Sequence, residues 1–161
     1  MNKPSLEIFI KKLNSIGSES IITIMTPISS TTFLNANDSR DELLKKIEKS
    51  KRTFYPVYSE SPENIIGIIH IKEILIEALK NSVFDIREGL HEPIYFSENN
   101  SIHQVYNIFV QSNTGAAFVV NKLNNIIGFI TLKEVTRSIL GSLTIYENLY
   151  ESYQDKKTGG T

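Results

Sequence analysis

Apolar residues recur along the chain at two spacings, helical and alternating, and the spacings follow one another in a fixed order. Leu6, Phe9, Ile10 and Leu13 fall at helical intervals with Gly17 as a stop, which predicts an N-terminal helix. Ile21, Ile22, Ile24 and Met25 then lead into Thr26-Pro27, where the proline biases its predecessor away from the helix. Thr31 to Leu34 reads as a short strand. Asp38-Ser39 can cap a helix carrying Leu43, Leu44 and Ile47 on one face. Phe54 to Tyr58 and Ile65 to Ile69 are rich in aromatic and β-branched residues and read as strands, with Ser61-Pro62 and Asn64 as the turn between them. Ile71 to Leu79 closes the series as a helix with Ile74, Leu75 and Ala78 inward.

The same order then returns. Ile94 to Phe96 reads as a strand, and Ser101 to Gln111 as a helix bearing Ile102, Val105, Ile108 and Phe109. Ala116 to Val120 and Ile126 to Ile130 follow as strands, and Leu132 to Leu140 as a helix stopped by Gly141. The match is visible letter by letter: NIIGIIHIKEI (64–74) and NIIGFITLKEV (125–135) are identical at seven of eleven positions, at an offset of 61. The offset needs at most a one-residue slip in the first helix of the unit. The predicted fold is α+β, with tandem β-α-β-β-α repeats behind an N-terminal helix. Its expected divisions are 1–20 for that helix, 21–80 for the first domain, 81–92 for a linker, 93–145 for the second domain and 146–161 for a tail. The polar, glycine-rich end of that tail reads as disordered. Neither unit has enough apolar surface to stand alone, so the two are expected to pack together.

Composition narrows the function classes. The chain has 161 residues, 40% of them apolar and 22% charged, as in ordinary globular proteins. A net charge of −1 gives no argument for nucleic acid or an anionic membrane surface. There are no cysteines, which excludes disulfides and thiolate metal sites. The apolar runs are too short for a bilayer span, and no signal segment is visible, so the chain reads as soluble. His91, His103 and Glu92 lack metal-ligand spacing, and no phosphate-binding glycine loop, nucleophile elbow or paired acid and base is present. Nothing points to catalysis or to a metal site.

Three stretches resemble a known family: IMTP (24–27), SKRTFYPVY (50–58) and GFITLKEVTRSILGSL (128–143). With the repeat, they make residues 21–143 similar to a pair of cystathionine-β-synthase (CBS) domains, the Bateman module, in the CorC and CNNM-type, hemolysin-related magnesium and cobalt transporter branch. The resemblance implies a regulatory module that binds an adenine nucleotide (AMP, ADP or ATP, with or without Mg²⁺). It would form a homodimer on the cytoplasmic face of a transporter membrane domain, of which this chain would be a fragment. Two other readings stand beside it: a ligand-free structural dimerisation module, and a freestanding pair that regulates a soluble enzyme in trans.

The resemblance also assigns residues. Thr131 and Glu134, at i and i+3 of a helix start, would meet phosphate or sugar and the ribose hydroxyls. Lys51-Arg52 could neutralise phosphates or be plain solvated surface, Thr26 could contact the ligand or only form the turn before Pro27, and Tyr55 and Phe118 would flank the adenine. The same Thr131-x-x-Glu134 spacing is equally a capping box. In the first unit His70 and Glu73 occupy these positions as a degenerate second site. The branch usually has acidic residues where this chain has Thr136-Arg137 and Asn121-Lys122, so capture of Mg²⁺ beside a nucleotide is expected to be weaker here.

Overall fold

The computed structural model describes residues 3–80, 84–141 and 144; the tail expected at 146–161 lies outside the described residues. Helix α1 (Lys3–Ser18) comes first. Strands β1 (Thr26–Pro27) and β2 (Leu34–Asn35), helix α2 (Arg40–Ser50), strands β3 (Phe54–Tyr58) and β4 (Ile65–His70) and helix α3 (Ile71–Leu79) follow. The second half holds β5 (Tyr95–Ser97), α4 (Ile102–Ser112), β6 (Ala116–Val120), β7 (Ile126–Thr131) and a final helix, α5 (132–141).

Local chemistry explains why the halves copy each other. Helices α2 and α4 both begin with a reciprocal capping box, Ser39 with Glu42 and Ser101 with Gln104. Both end on a left-handed residue, Lys51 (φ 52°) and Asn113 (φ 53°), which turns the chain back into the next strand. Hairpins β3–β4 and β6–β7 are antiparallel, and their registers shift at equivalent places, Val57/Tyr58 and Val119/Val120. Contrary to expectation, the one-residue slip does not fall in the first helix: the offset is 62 from β2 and β5 through α2 and α4 to β3 and β6, and becomes 61 at β4 and β7, so the first half carries its extra residue in the β3–β4 turn.

Each half lends its leading segment to the other half or takes one back. Strand β1 leaves its own sheet and pairs with β7, opposing Thr26 to Phe129 and Pro27 to Gly128. The sheets are therefore β1-β7-β6-β5 and β2-β3-β4. Ile21, with no exposed surface, packs into the second core beside Val105, Phe109 and Ile130. Ser20 fixes that crossing by donating to the Glu98 carbonyl at 2.7 Å. In the other direction, the described part of the expected linker folds back onto the first half. Ile86 is buried among Leu34, Tyr55 and Ile74, and His91 exchanges two 2.9 Å backbone hydrogen bonds with Ile68.

This crossing gives the repeated glycine a reason. A Cβ on Gly67 would stand 3.0 Å from the His91 carbonyl oxygen, and one on Gly128 would stand 3.0 Å from that of Thr26 and against the Met25 sulfur. Only glycine lets the crossing backbone close in.

Side chains on one face of each hairpin (Tyr55, Val57, Ile69; Ala117, Val119, Ile130) fill the two cores under the helices. Those on the opposite face (Ile68, Ala116, Phe118, Phe129) meet in a third cluster, the seam between the sheets. Both sheet faces are thus buried, which is why the strands read as near-continuous apolar runs.

Several expected details change. Leu75 and Ile108 do not face inward; they are 52% and 41% exposed, and Ile74 with Glu77, or Val105 with Phe109, carry the inner helix face instead. Gly141 does not stop α5: it is helical, as is residue 144, and no glycine among the described residues has the positive φ that a left-handed stop requires. The short strands sit slightly later than expected, at Leu34–Asn35 and Tyr95–Ser97.

Candidate functional site

One cleft gathers residues from three places. The crossing segment and the turn after it bring Thr26 and Ser30 to Thr32, the loop after α2 brings Lys51 to Phe54, and the β7–α5 junction brings Phe129, Thr131, Lys133 and Glu134. The loop after α2 is held from below. The buried Tyr55 hydroxyl accepts the Arg52 N–H at 2.9 Å and shares a hydrogen bond with the Ser50 hydroxyl at 2.9 Å. This anchors the backbone from which Lys51 and Arg52 project.

At the helix start, Glu134 folds back onto Thr131. Its Oε2 accepts the Thr131 N–H at 2.8 Å and also the Thr131 hydroxyl. The glutamate arm of a capping box is therefore formed. Lys51, Arg52 and Lys133 take no part in the ion pairs seen among the described residues, so three cations and one engaged carboxylate line the cleft.

A second cleft occupies the equivalent place in the other half. His70, Lys72 and Glu73 stand where the first has Thr131, Lys133 and Glu134, and His91 stands where it has Thr26. Asn113, Thr114 and Gly115 replace Lys51, Arg52 and Thr53. The His70 Nδ1 accepts the Lys72 N–H at 2.9 Å and so caps α3. Burial holds this imidazole below the usual histidine range; the Lys72 charge acts in the same direction, Glu73 opposes it, and His91 again lowers it. The Phe54 ring enters from β3, edge-on to His70 at 4.6 Å, in space that a Cβ on Gly115 would fill at 2.5 Å. The two clefts differ in free volume, about 70 Å³ at Thr131 and about 480 Å³ at His70.

Of the residues expected at the nucleotide site, Thr26, Arg52, Thr131 and Glu134 come together in one cleft, and His70 and Glu73 in the other. Tyr55 and Phe118 line neither. Tyr55 is fully buried in the first core and steadies the loop through its hydroxyl; Phe118 is fully buried in the seam, stacked on Phe33 and Tyr95. The aromatic residues that line the first cleft are Phe54 and Phe129, one position away from Tyr55 in the first case. Lys51 was expected with Arg52 as a neutraliser of phosphates, whereas Lys133 and the hydroxyl run at Ser30 to Thr32 were not singled out from the sequence. Lys133 lies inside the GFITLKEV stretch, and the hydroxyl run follows IMTP closely.

Among the described residues no group of three or more histidine, aspartate or glutamate side chains could hold a metal ion, and no helix is long and apolar enough to cross a membrane.

The CBS domain family matches residues 21–80 and again 84–141. The chain belongs to the CBS-domain family. It is 25% identical over 141 residues to the UPF0053 protein in the cps region of Klebsiella pneumoniae, covering 87% of this chain and 44% of that one. It is 24% identical over 141 residues to the magnesium and cobalt efflux protein CorC of Escherichia coli, covering 87% and 47%. This CBS pair thus spans less than half the length of these two relatives. Its fold is that of the CBS domain of a bacterial CNNM/CorC family Mg²⁺ transporter solved in complex with ATP (TM-score 0.73, 22% identity, 86% of this chain and 99% of that one).

Proposed function

We propose that this CBS pair is a non-catalytic regulatory module that binds an adenine nucleotide and passes its state to a transporter domain at the cytoplasmic face of a membrane. The observation that carries the reading is the meeting of Thr131 and Glu134 with Thr26 and Arg52 in one cleft, on a fold shared with an ATP-bound transporter domain. A carboxylate just inside a helix can accept both ribose hydroxyls, and the preceding hydroxyl and N–H suit phosphate. The free volume of about 70 Å³ is below the usual range of ligand pockets, about 300 Å³ and upward. A ribose that uses both carboxylate oxygens draws Glu134 away from Thr131. The ribose replaces the cap, and that exchange is a local change that binding transmits to α5.

Calorimetry on variants tests this. Glu134→Ala should weaken nucleotide binding by about 1.5–3 kcal/mol, tenfold or more. Thr131→Ile should abolish it, while His70→Ala and Glu73→Ala should leave affinity within about twofold. If the two residues only cap α5, each change lowers stability by about 1 kcal/mol and the parent binds no nucleotide. The larger volume at His70 favours a rival placement in the first half. Unchanged affinity in Glu134→Ala with loss in Glu73→Ala would establish it.

The same reading includes a homodimer. Helix α3 leaves Leu75 and Ile76 exposed and Leu79 82% exposed, and α5 leaves Leu140 54% exposed, which is apolar surface suited to a second copy. Light scattering should give twice the chain mass at micromolar concentration; a monomer would remove this part of the proposal.

A further inference from the structure

We infer that the cleft at Thr131 takes its ligand as a free nucleoside triphosphate, with side-chain cations in place of Mg²⁺ neutralising the phosphates. This rests on the nucleotide reading above and narrows it. Mg²⁺ in nucleotide sites is held by one or two carboxylates together with phosphate oxygens, at near-octahedral geometry. Here Glu134 is the one carboxylate in the lining, and its Oε2 already receives the Thr131 N–H and hydroxyl. Drawn off that contact by a ribose, it is engaged by the sugar. In the first state Oε1 alone stays outside that contact, and accepting both ribose hydroxyls takes it up as well, so no carboxylate is left to anchor a metal beside a bound nucleotide.

The opposite charge is plentiful. Lys51 and Arg52 approach from the loop after α2, and Lys133 from the start of α5, on the two walls of the cleft. None is engaged in an ion pair among the described residues, so a polyphosphate meets them without breaking one. The loop bearing two of them is fixed by the buried Tyr55 hydroxyl, which lowers the ordering needed on binding. The equivalent cleft sharpens the point: it keeps Lys72 alone of these cations and adds Glu92 to Glu73.

The test is calorimetry of the CBS pair with ATP, ADP and AMP, first in excess chelator and then with saturating Mg²⁺. The expected result is binding in chelator, tightest for ATP and weakest for AMP, with no gain for ATP when Mg²⁺ is added. Arg52→Gln and Lys133→Gln should each weaken ATP about two- to fivefold in chelator and AMP by less, because these cations are solvent-exposed. Both variants change exposed side chains, and their melting curves confirm folding. Binding of ATP only in the presence of Mg²⁺ overturns this inference and leaves the nucleotide reading standing. Binding in chelator that neither variant alters also overturns it. Absence of any nucleotide binding under both conditions overturns the reading itself, and this inference with it.

Discussion

At the start of α5 a threonine donates its N–H and hydroxyl to one glutamate oxygen, whereas at the start of α3 the same position is an imidazole that accepts an N–H from Lys72. The backbones that carry them are equivalent: a glycine strand, a crossing segment, a left-handed turn after the neighbouring helix. What differs is a handful of side chains. Thr26 becomes His91, and the pair Lys51-Arg52 becomes Asn113-Thr114. One cleft keeps cations and hydroxyls around a small space; the other keeps mixed charge around a larger one, with Phe54 lodged in it. A duplicated scaffold therefore preserves geometry through positions that the backbone itself needs, while the cleft lining is free to diverge. The repeat keeps the packing glycine and the Lys-Glu pair at each helix start, and diverges at the residue before that helix, in the crossing segment and in the loop after the preceding helix.

The largest expected effect tests the equivalence of the two halves. Gly67→Val and Gly128→Val each force a side chain into the crossing backbone, at His91 and Leu90 in one case and at Thr26 and Met25 in the other. Overpacking of this kind costs about 1–3 kcal/mol. Urea unfolding should show comparable losses for both variants. Each glycine faces a backbone carbonyl oxygen at 3.0 Å and a flexible side chain, Leu90 in one case and Met25 in the other, so neither loss is expected to be the smaller by much. A neutral Gly67→Val beside a costly Gly128→Val would mean that only β1, and not the His91 bridge, holds the halves together.

Much of the fold was legible because its signals are local. The serine caps, the turn at Ser61-Pro62 and the repeated NIIG motif place elements within a residue or two. The crossing was not legible, since nothing near Ile21 says that its core lies beside Val105 and Phe109. The cleft was legible in part. Thr131, Glu134, Thr26 and Arg52 followed from the resemblance, but the aromatic positions did not. In FYPVY and AAFVV both strand faces are apolar, so alternation cannot say which face opens to the cleft. A choice one residue off reverses the face, which is how Tyr55 was expected where Phe54 stands.

The smallest expected effect exploits the one chemical property that a histidine has at a helix start and a threonine lacks. His70 must be unprotonated at Nδ1 to accept the Lys72 N–H, and burial further disfavours its charged form, so its folded-state value lies below the ordinary one. The unfolded chain then binds more protons than the folded one in the window between the lowered value and the ordinary value of about 6.5. Stability from this group is present above about pH 6.5 and is lost as pH falls through that window, levelling off below the folded-state value. His70→Asn keeps a side-chain acceptor for the cap and removes the titration. Urea midpoints compared at about pH 7.5 and about pH 5.5 should fall further for the parent than for His70→Asn. The corresponding pair Thr131→Asn and parent should show no such difference. Equal slopes for His70→Asn and the parent would mean that the imidazole caps α3 without sensing acid, and the two helix starts would then differ in shape alone.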